Sequence, residues 1–373
     1  MKEKILRNKF LHLQILLYAM LTLLTTACEE VPEYRNTPSG NFEALVDIIA
    51  TRYCFLDKKG IDWDDVAAKY RKGVKPGMSQ MELFDLCSDM LDELKDGHVN
   101  LSSRFDVSYY RKWWSDYPQD FNLRTLQEYY LGFDYRTVSG MSYKVIAPKT
   151  GYIYFPSFST AVSENSLDLI LYFFHLNECE TLIIDIRNNG GGLLSNVEVF
   201  VARFINEATC GGYIRHKTGP GVSDFSSPYE IVYEPAPEGR IKWEGKILLL
   251  TNRSCFSAAN DFIAVMKSLP QVTVIGARSG GGGGMPFSSE LPNGWSIRFS
   301  ACEINSPEDE YIEEGIDPSA GYEVHCTAEE LAAGKDAILE MALSVAATAA
   351  RSSAPRQTYW GIPNADGGVR EPQ

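Results

Sequence analysis

Residues 245–284 read GKILLLTNRSCFSAANDFIAVMKSLPQVTVIGARSGGGGG, and this stretch decides the fold. The apolar run Ile247–Leu250 has the length of a buried strand, and a helical spacing of apolar residues follows Ser257. A second run rich in β-branched residues, Val272–Ile275, leads into five consecutive glycines. A serine at such a strand-to-helix turn lies at a helix N-terminus, where free backbone N–H groups can stabilise an oxyanion. Ser257 is therefore the predicted nucleophile.

The composition is that of a globular protein with an acidic balance. The 373 residues leave room for two domains, or for one large domain with an appendage. A net charge of −14 argues against nucleic-acid binding as the main task, because that task requires a basic surface. The cysteines lack CxxC spacing and fit neither a full disulfide framework nor a zinc site. No nucleotide motif stands out either, so neither a metal nor a cofactor is expected.

The N-terminus resembles a bacterial lipoprotein signal. Basic residues precede an apolar run, Ile15–Leu24, which is too short for a transmembrane span. Cys28 follows a small residue, as in such signals, although Thr25 stands where a leucine is usual. We therefore predict a signal peptide over residues 1–27, lipidation of Cys28 and a polar tether over residues 28–40. The mature chain would be anchored to a membrane of the bacterial cell envelope, on its periplasmic or surface face, and plain secretion is the alternative.

A helical domain is predicted over residues 41–105. Apolar residues recur at helical spacing in two segments, and Ser79 begins the second with the spacing of a capping box. His98 follows the end of this second helix through Gly97. Local sequence alone is also consistent with an ordinary surface histidine at a helix terminus. For the aromatic, irregular residues 106–130, packing between domains is favoured over the lining of a cleft.

The rest of the chain, residues 106–345, is predicted to contain a mainly parallel α/β core. Strands and helices alternate between residues 145 and 276, which is typical of βα units. One strand ends in the Asn-Asn-Gly-Gly-Gly turn at residues 188–192, where glycines let backbone N–H groups approach a bound group. Beyond the five glycines we expect a hairpin across residues 292–294, a last helix opened by Thr327 and Glu330, and a disordered tail over residues 346–373.

Three segments together resemble the serine peptidase family of C-terminal processing (tail-specific) and tricorn-type proteases. They are Asp96-Gly97-His98, then Asp185-Ile186-Arg187-Asn188-Asn189-Gly190-Gly191-Gly192, and then Ser257-Ala258-Ala259-Asn260 followed by Val274-Ile275-Gly276. Two later segments are also similar to the family, Glu313-Glu314-Gly315-Ile316-Asp317-Pro318 and Gly334-Lys335-Asp336. The resemblance covers residues 41–345 and implies an α/β fold with a crotonase-like ββα core. It also implies that the N-terminal helical domain precedes this core.

The resemblance assigns roles around the predicted nucleophile. Ser257 matches the family nucleophile, and the N–H of Ala258 matches one oxyanion donor. A glycine of the Asn-Asn-Gly-Gly turn matches the second donor, and Gly191 is favoured over Gly190. Acyl transfer requires two convergent N–H donors, and loss of one typically costs about 100- to 1000-fold in rate.

The general base of this chain must differ from the one used in the processing branch of the family. That branch uses a lysine downstream of the nucleophile, at a position that corresponds to Gly282 in this chain. Lys267 lies in the nucleophile's own helix and is poorly placed to replace it. The tricorn-type branch uses a histidine from an early segment, and His98 matches this position. A histidine is apt as a base, because its unperturbed pKa of about 6.5 lets it accept a proton near neutral pH.

The resemblance also implies a distal carboxylate that assists the base. Glu313 is the favoured candidate, with Glu314 and Glu303 as alternatives. The tricorn-type branch has a serine directly before its histidine, but this chain has Gly97 there, so a fourth member is not assigned. A PDZ module, frequent in the family, is not expected, because too few residues separate Ser102 from the first core strand.

The sequence thus predicts a serine-type endopeptidase that hydrolyses polypeptide substrates through an acyl-enzyme on Ser257, with His98 as base. An esterase that uses the same serine is a second hypothesis. A third is a catalytically inactive peptide-binding protein of the same fold. The missing lysine supports it, and so does Asn260, because many relatives have a glutamate there. The oligomeric state is not predicted.

Overall fold

The computed structural model describes residues 33–353. The predicted signal peptide, Cys28 and the last twenty residues of the predicted tail lie outside the described residues and stay predictions. No helix in the described part of the chain combines the length and hydropathy that a bilayer crossing requires.

The described chain contains both helices and strands along its whole length. The helices are α1 Pro38–Arg52, α2 Trp63–Arg71, α3 Gln80–Asp92, α4 Lys112–Ser115, α5 Leu123–Thr125, α6 Glu164–Leu176, α7 Leu194–Val201, α8 Ala258–Ser268, α9 Ala328–Ala332 and α10 Ala337–Ser353. A π-helical segment, Leu126–Leu131, continues α5. The strands are β1 Asn100–Ser102, β2 Arg136–Val138, β3 Met141–Ala147, β4 Thr150–Tyr154, β5 Thr181–Asp185, β6 Thr209–His216, β7 Tyr229–Tyr233, β8 Lys246–Thr251, β9 Val272–Gly276, β10 Gly284–Glu290 and β11 Ser296–Asn305.

A six-stranded sheet in the order β2-β3-β4-β5-β8-β9 forms the first layer. Strands β4, β5, β8 and β9 pair in parallel, which confirms the predicted parallel core. Strand β8 is apolar from Ile247 to Leu250, where both of its faces are buried. Ile247 and Leu249 pack in one core cluster with α6, α7 and α8, whereas Leu248 and Leu250 pack in another with α10.

A five-stranded sheet holds the remaining strands around the long strand β11. One edge of β11 pairs with β10 in the predicted hairpin, which is confirmed. Its other edge pairs first with β1 and then with β6. Helices α1 to α3 share a core cluster with Ile297 and Phe299 of β11 and with Trp295, which directly precedes that strand. The mixed α/β class is therefore confirmed, whereas the crotonase-like assignment and the separate helical domain stay predictions.

The run of five glycines connects the two sheets. Strand β9 ends at Gly276 in the six-stranded sheet, and β10 begins at Gly284 in the five-stranded sheet. Between them, Gly281 and Gly282 have φ angles of +83° and +84°, which residues with a Cβ rarely adopt. The predicted nucleophile turn lies directly against this crossing, because Ser257 N–H donates to Gly281 O.

The end of the chain differs from the prediction in two ways. The capping box of Thr327 and Glu330 opens only the five-residue helix α9, because Gly334 turns the backbone at φ +83° before α10 begins. Helix α10 then continues to Ser353, into the segment assigned to the disordered tail. Residues 345–350 read VAATAA, and alanine has the highest helix propensity, which accounts for the longer helix.

A fully buried ion-pair network ties the first glycine turn to the end of the chain. Arg187 follows β5 and contacts Asp185 Oδ2 at 2.6 Å and Asp336 Oδ1 at 2.8 Å, with no exposed surface on any of the three side chains. Tyr152 Oη also donates to Asp185, at 2.7 Å. Two of the segments that carry the family resemblance therefore meet here as structural partners.

We predict that Arg187→Met strongly destabilises the protein, because it leaves Asp185 and Asp336 buried without their cation. Breaking a buried ion pair by removing one partner typically lowers the free energy of unfolding by about 3–5 kcal/mol. Urea denaturation followed by circular dichroism measures the loss. Arg124→Met is the control, because the Arg124–Glu128 pair is exposed and should contribute little. Equal effects of the two substitutions would contradict a structural role for the network.

Candidate active site

Ser257 occupies a strained turn between β8 and α8. Its backbone has φ +58° and ψ −126°, a region that a non-glycine residue adopts only when the surrounding structure holds it there. The side chain makes no capping bond to α8, although it occupies the N-cap position, and the residue is partly exposed. The Ser257 hydroxyl is therefore free for chemistry at the positive end of a helix.

His98 lies within hydrogen-bonding distance of this hydroxyl. Its Nε2 atom is 2.9 Å from Ser257 Oγ, which brings together residues far apart in the sequence. The histidine follows α3 through a short turn and precedes β1, whose pairing with β11 fixes the segment. The imidazole is 2% exposed and packs against the Phe256 ring, with centroids 4.6 Å apart.

Asp96 fixes the backbone that carries His98. Its Oδ1 accepts from His98 N–H at 2.7 Å, and its Oδ2 accepts from Tyr53 Oη at 3.0 Å and Ser300 Oγ at 2.8 Å. Burial alone would raise the pKa of Asp96, but the charge of Lys59 and these hydrogen bonds hold it below its usual value. Asp96 is thus an ionised carboxylate with three donors already bound.

Burial keeps His98 neutral. It lowers the pKa of His98 to about 4, against the opposing attraction of Asp96. A neutral imidazole can accept a proton at Nε2 only if Nδ1 carries the other one. His98 Nδ1 is buried and has no hydrogen-bond partner among the described residues. The site therefore needs an acceptor for Nδ1.

Glu313 is a buried carboxylate close to His98. Single donor atoms of Asp96, His98 and Glu313 lie within 4.8 Å of one another. Glu313 Oε1 pairs with Lys59 Nζ at 2.9 Å, and Oε2 has no hydrogen-bond partner in the described chain. Burial and the charge of Asp96 raise the pKa of Glu313 to about 8, and Lys59 opposes this shift.

The alternative carboxylates point elsewhere. Glu303 Oε1 pairs with Lys58 Nζ at 2.7 Å and with Arg215 at 3.6 Å. Glu314 is exposed, unlike the buried Glu313. Of the three candidates, only Glu313 belongs to the cluster around His98.

This cluster also has the residue types of a metal site, and its surroundings test that possibility. Asp96 already accepts three hydrogen bonds, and the Lys59 ammonium occupies one oxygen of Glu313. Calcium and magnesium require several free oxygen ligands, and a resident ammonium opposes a second cation at the same carboxylate. The donor set suits a proton-transfer network better than a metal.

The two predicted oxyanion donors lie beside the nucleophile. Ala258 is the first residue of α8, where an N–H has no intrahelical acceptor. Gly191 is so close that an added Cβ would lie 2.8 Å from Ser257 Cβ and 2.9 Å from Ala258 N. The Gly191 N–H donates to Asn189 Oδ1 at 2.9 Å, an acceptor that an oxyanion would have to replace. A Cβ added at Gly190 would meet nothing within 4 Å.

The absent lysine has a steric explanation. A Cβ at Gly282 would lie 2.6 Å from the Phe256 ring and 2.9 Å from Ser257 N, so this position abuts the nucleophile but cannot carry a side chain. Lys267 is near the far end of α8, where its Nζ donates to Asp317 O. A Cβ at Gly97 would lie 2.6 Å from Trp113 Nε1. The serine that the tricorn-type branch has before its histidine would therefore collide with Trp113 in this chain.

The aromatic segment both packs and lines a cavity. Trp113 stacks on Phe256 with ring centroids 4.2 Å apart, as the packing interpretation predicts. It also lines a cavity of about 1030 Å³ together with Tyr110 and Tyr117, and this cavity reaches Lys59 and Glu313. The preference for packing over the lining of a cleft was therefore only half right.

Comparisons with known proteins identify the family. The model of peptidase family S41 matches residues 149–321, and the model of the tricorn protease C1 domain matches residues 34–92. The crystal structure of a candidate peptidase from Parabacteroides merdae is 45% identical, with a TM-score of 0.80 over 86% of this chain and 100% of that chain. The chain belongs to peptidase family S41. It is accordingly a serine peptidase, related to the C-terminal processing proteases.

Two further relatives of this S41 peptidase are more distant. The carboxy-terminal processing protease CtpB of Bacillus subtilis is 24% identical over 184 residues. Those residues are 49% of this chain, but the match spans only 36% of the length of CtpB. Mature CPAF has a TM-score of 0.63 at 13% identity, over 85% of this chain and 99% of that chain. At that identity the likeness to CPAF is one of fold alone.

Sequence reasoning missed two residues of this site. Lys59 contacts Glu313, but an isolated Lys58-Lys59 pair in a loop carries no signal of this partner. Trp113 covers the glycine before His98, and only its place in an aromatic segment hinted at a role. Both act through contacts that are remote in sequence, which a local pattern does not reveal.

We predict that Gly191→Ala abolishes activity whereas Gly190→Ala does not. The added methyl at position 191 would collide with Phe256 O, at 2.6 Å, and with the start of α8. Loss of one oxyanion donor lowers kcat by about 100- to 1000-fold. Hydrolysis of casein by both variants, with melting curves to verify folding, measures the difference. An active Gly191→Ala variant would remove this glycine from the site.

Proposed function

We propose that the chain is a serine endopeptidase of the bacterial cell envelope in which Ser257 is the nucleophile and His98 the general base. The carrying observation is the 2.9 Å contact between Ser257 Oγ and His98 Nε2 at a helix N-terminus. Nucleophile and base within hydrogen-bonding reach, with the base held by further groups, are the signature of covalent acyl transfer. Hydrolysis of polypeptides follows from this arrangement and from the family.

In the first half-reaction the Ser257 oxygen attacks the carbonyl carbon of the scissile peptide. The hydroxyl proton of Ser257 moves to His98 Nε2, and the π electrons of the carbonyl group move onto the carbonyl oxygen. The N–H groups of Ala258 and Gly191 would bind this oxyanion, with Gly191 releasing Asn189 Oδ1. When the tetrahedral intermediate collapses, the C–N bond breaks and His98 gives the proton to the leaving amine. An ester on Ser257 remains.

In the second half-reaction a water molecule replaces the amine. His98 accepts a proton from the water, whose oxygen attacks the ester carbon, and a second tetrahedral intermediate forms. Its collapse breaks the bond to Ser257 Oγ, which recovers its proton from His98, and the new carboxylate product leaves. In both halves the imidazolium exists transiently, and an ionised Glu313 facing Nδ1 would stabilise it.

The low pKa of His98 suits this role only if the imidazolium is stabilised during the reaction. A histidine with a pKa of about 4 is a weak base in the resting site. Binding of substrate brings a developing oxyanion near the base, and Glu313 supplies a second negative charge near His98 once it is ionised. Both charges raise the proton affinity of His98 when the proton is transferred.

We predict that a fluorophosphonate probe labels the wild-type protein, because such probes react with activated serines. Ser257→Ala should show no labelling, and His98→Ala should lose about 100- to 10,000-fold in rate, as expected for loss of a general base. Gel fluorescence and intact mass measure the adduct. Unlabelled wild-type protein would instead favour the inactive peptide-binding alternative. A fully reactive His98→Ala variant would exclude His98 as the base but would leave Ser257 as the nucleophile.

A comparison of substrates separates the two enzyme hypotheses. A peptidase should hydrolyse casein, and the Ser257→Ala variant should not. Hydrolysis of short-chain esters without any cleavage of casein would favour the esterase. Cleavage of a peptide library by residues 29–373 would then give the sequence preference.

The cell-envelope location rests on the N-terminal pattern around Cys28. We predict that wild-type protein is recovered with membranes and incorporates a fatty-acid analogue in growing cells, whereas Cys28→Ala does neither. Fractionation and in-gel fluorescence measure both properties. Release of the wild-type protein into the soluble fraction without label would support plain secretion.

A further inference from the structure

We propose that Lys59 is a positioning residue of this peptidase, whose ammonium holds Glu313 in place for His98 and ties Glu313 to the segment that carries His98. The inference rests on the proposed roles of Ser257, His98 and Glu313. It adds a residue from the loop between α1 and α2, which none of the short motifs quoted for the family resemblance contains.

The ammonium of Lys59 makes three polar contacts. Its Nζ atom is 2.9 Å from Glu313 Oε1, 3.3 Å from Leu94 O and 3.4 Å from Lys95 O. An ammonium has three N–H donors, and these three acceptors match them. Leu94 and Lys95 directly precede Asp96-Gly97-His98, so one side chain links the segment of the base to the loop of the carboxylate.

Burial makes this link specific. The side chains of Lys59 and Glu313 are only 9% and 4% exposed, so water competes little for either charge. Because Lys59 binds Oε1, the other oxygen of Glu313 stays available. That oxygen and His98 Nδ1 are both buried and without a hydrogen-bond partner in residues 33–353. Lys59 thus orients Glu313 so that Oε2 can accept a hydrogen bond from His98 Nδ1.

Lys59 also places a positive charge directly on Glu313. Asp96 and Glu313 are two buried carboxylates beside one histidine, and like charges in one site resist joint ionisation. Their attraction keeps the pKa of Lys59 raised in spite of burial, so the ammonium persists. The other charged or titratable groups that face this cluster are Tyr53, Cys54, Arg298 and Tyr311. Burial raises the pKa of Tyr53 and of Cys54, so both remain neutral.

The direction of the pH effect follows from Glu313. Burial and Asp96 raise its pKa to about 8, and Lys59 lowers it. Glu313 therefore loses its proton as the pH rises through that value, and activity that needs ionised Glu313 rises with it. Removal of Lys59 raises the pKa of Glu313 further, so the acidic limb of the activity profile must move to higher pH.

The test is a pH profile of kcat/KM on a peptide substrate, measured with mature wild-type protein, Lys59→Met and Glu313→Gln. We expect Lys59→Met to lose activity at neutral pH by about 10-fold or more and to shift the acidic limb upward by about 1–3 pH units, the usual effect of an opposite charge at this distance. Lys58→Met is the matched control, because Lys58 is the adjacent lysine and pairs with Glu303. It should leave the profile unchanged.

A double substitution separates positioning from a merely structural role. If Lys59 acts through Glu313, Lys59→Met adds little to the loss in a Glu313→Gln background, whereas a structural role would add its full effect. Should Lys59→Met not fold, Lys59→Gln takes its place, because it retains donors for the two carbonyls but no charge. An unshifted profile in an active, folded Lys59 variant overturns the inference. Absence of activity in wild-type protein would overturn the proposed function instead.

Discussion

The contact between His98 Nε2 and Ser257 Oγ, 2.9 Å long, is the interaction on which the proposed chemistry depends. The two residues belong to different layers, because His98 precedes a strand of the five-stranded sheet and Ser257 follows a strand of the six-stranded sheet. Their distance is fixed only when helices α1 to α3 pack on β11 and when β1 pairs with it. The packing of the N-terminal helices is therefore part of the site.

The glycine run imposes the second constraint. Gly281 O accepts from Ser257 N–H, and Gly282 N–H donates to Glu313 O, so this backbone touches the nucleophile turn and the carboxylate loop at once. Such close approach requires the absence of side chains, as the contacts of a Cβ at Gly282 demonstrate. The absence of a lysine at position 282 and the tight packing of the turn thus have the same structural cause. The proposed general base therefore comes from another segment of the chain.

The sequence allowed the parallel core, the hairpin and the turn at Ser257 to be predicted, because each depends on local periodicity or on turn residues. The order of the family motifs also indicated which distant segments should meet. It did not reveal the partners of Asp96, since Tyr53 and Ser300 reach it from other elements. The sequence did not reveal the role of Lys59 either, because its partner Glu313 is also remote in the chain. The end of α9 was misjudged because a helical pattern does not show which single glycine interrupts it.

The two carboxylates near His98 differ in how many of their oxygens already accept hydrogen bonds, and this difference supports the roles proposed for them. Asp96 lies two residues before the proposed base. However, its oxygens already accept a backbone N–H and two hydroxyl groups, so it holds the turn in place. Glu313 has one oxygen on Lys59 and one without a hydrogen-bond partner among residues 33–353. In the proposed mechanism the carboxylate that stabilises the imidazolium is the one with an oxygen still able to accept a hydrogen bond, so hydrogen-bond saturation rather than proximity in the chain favours Glu313.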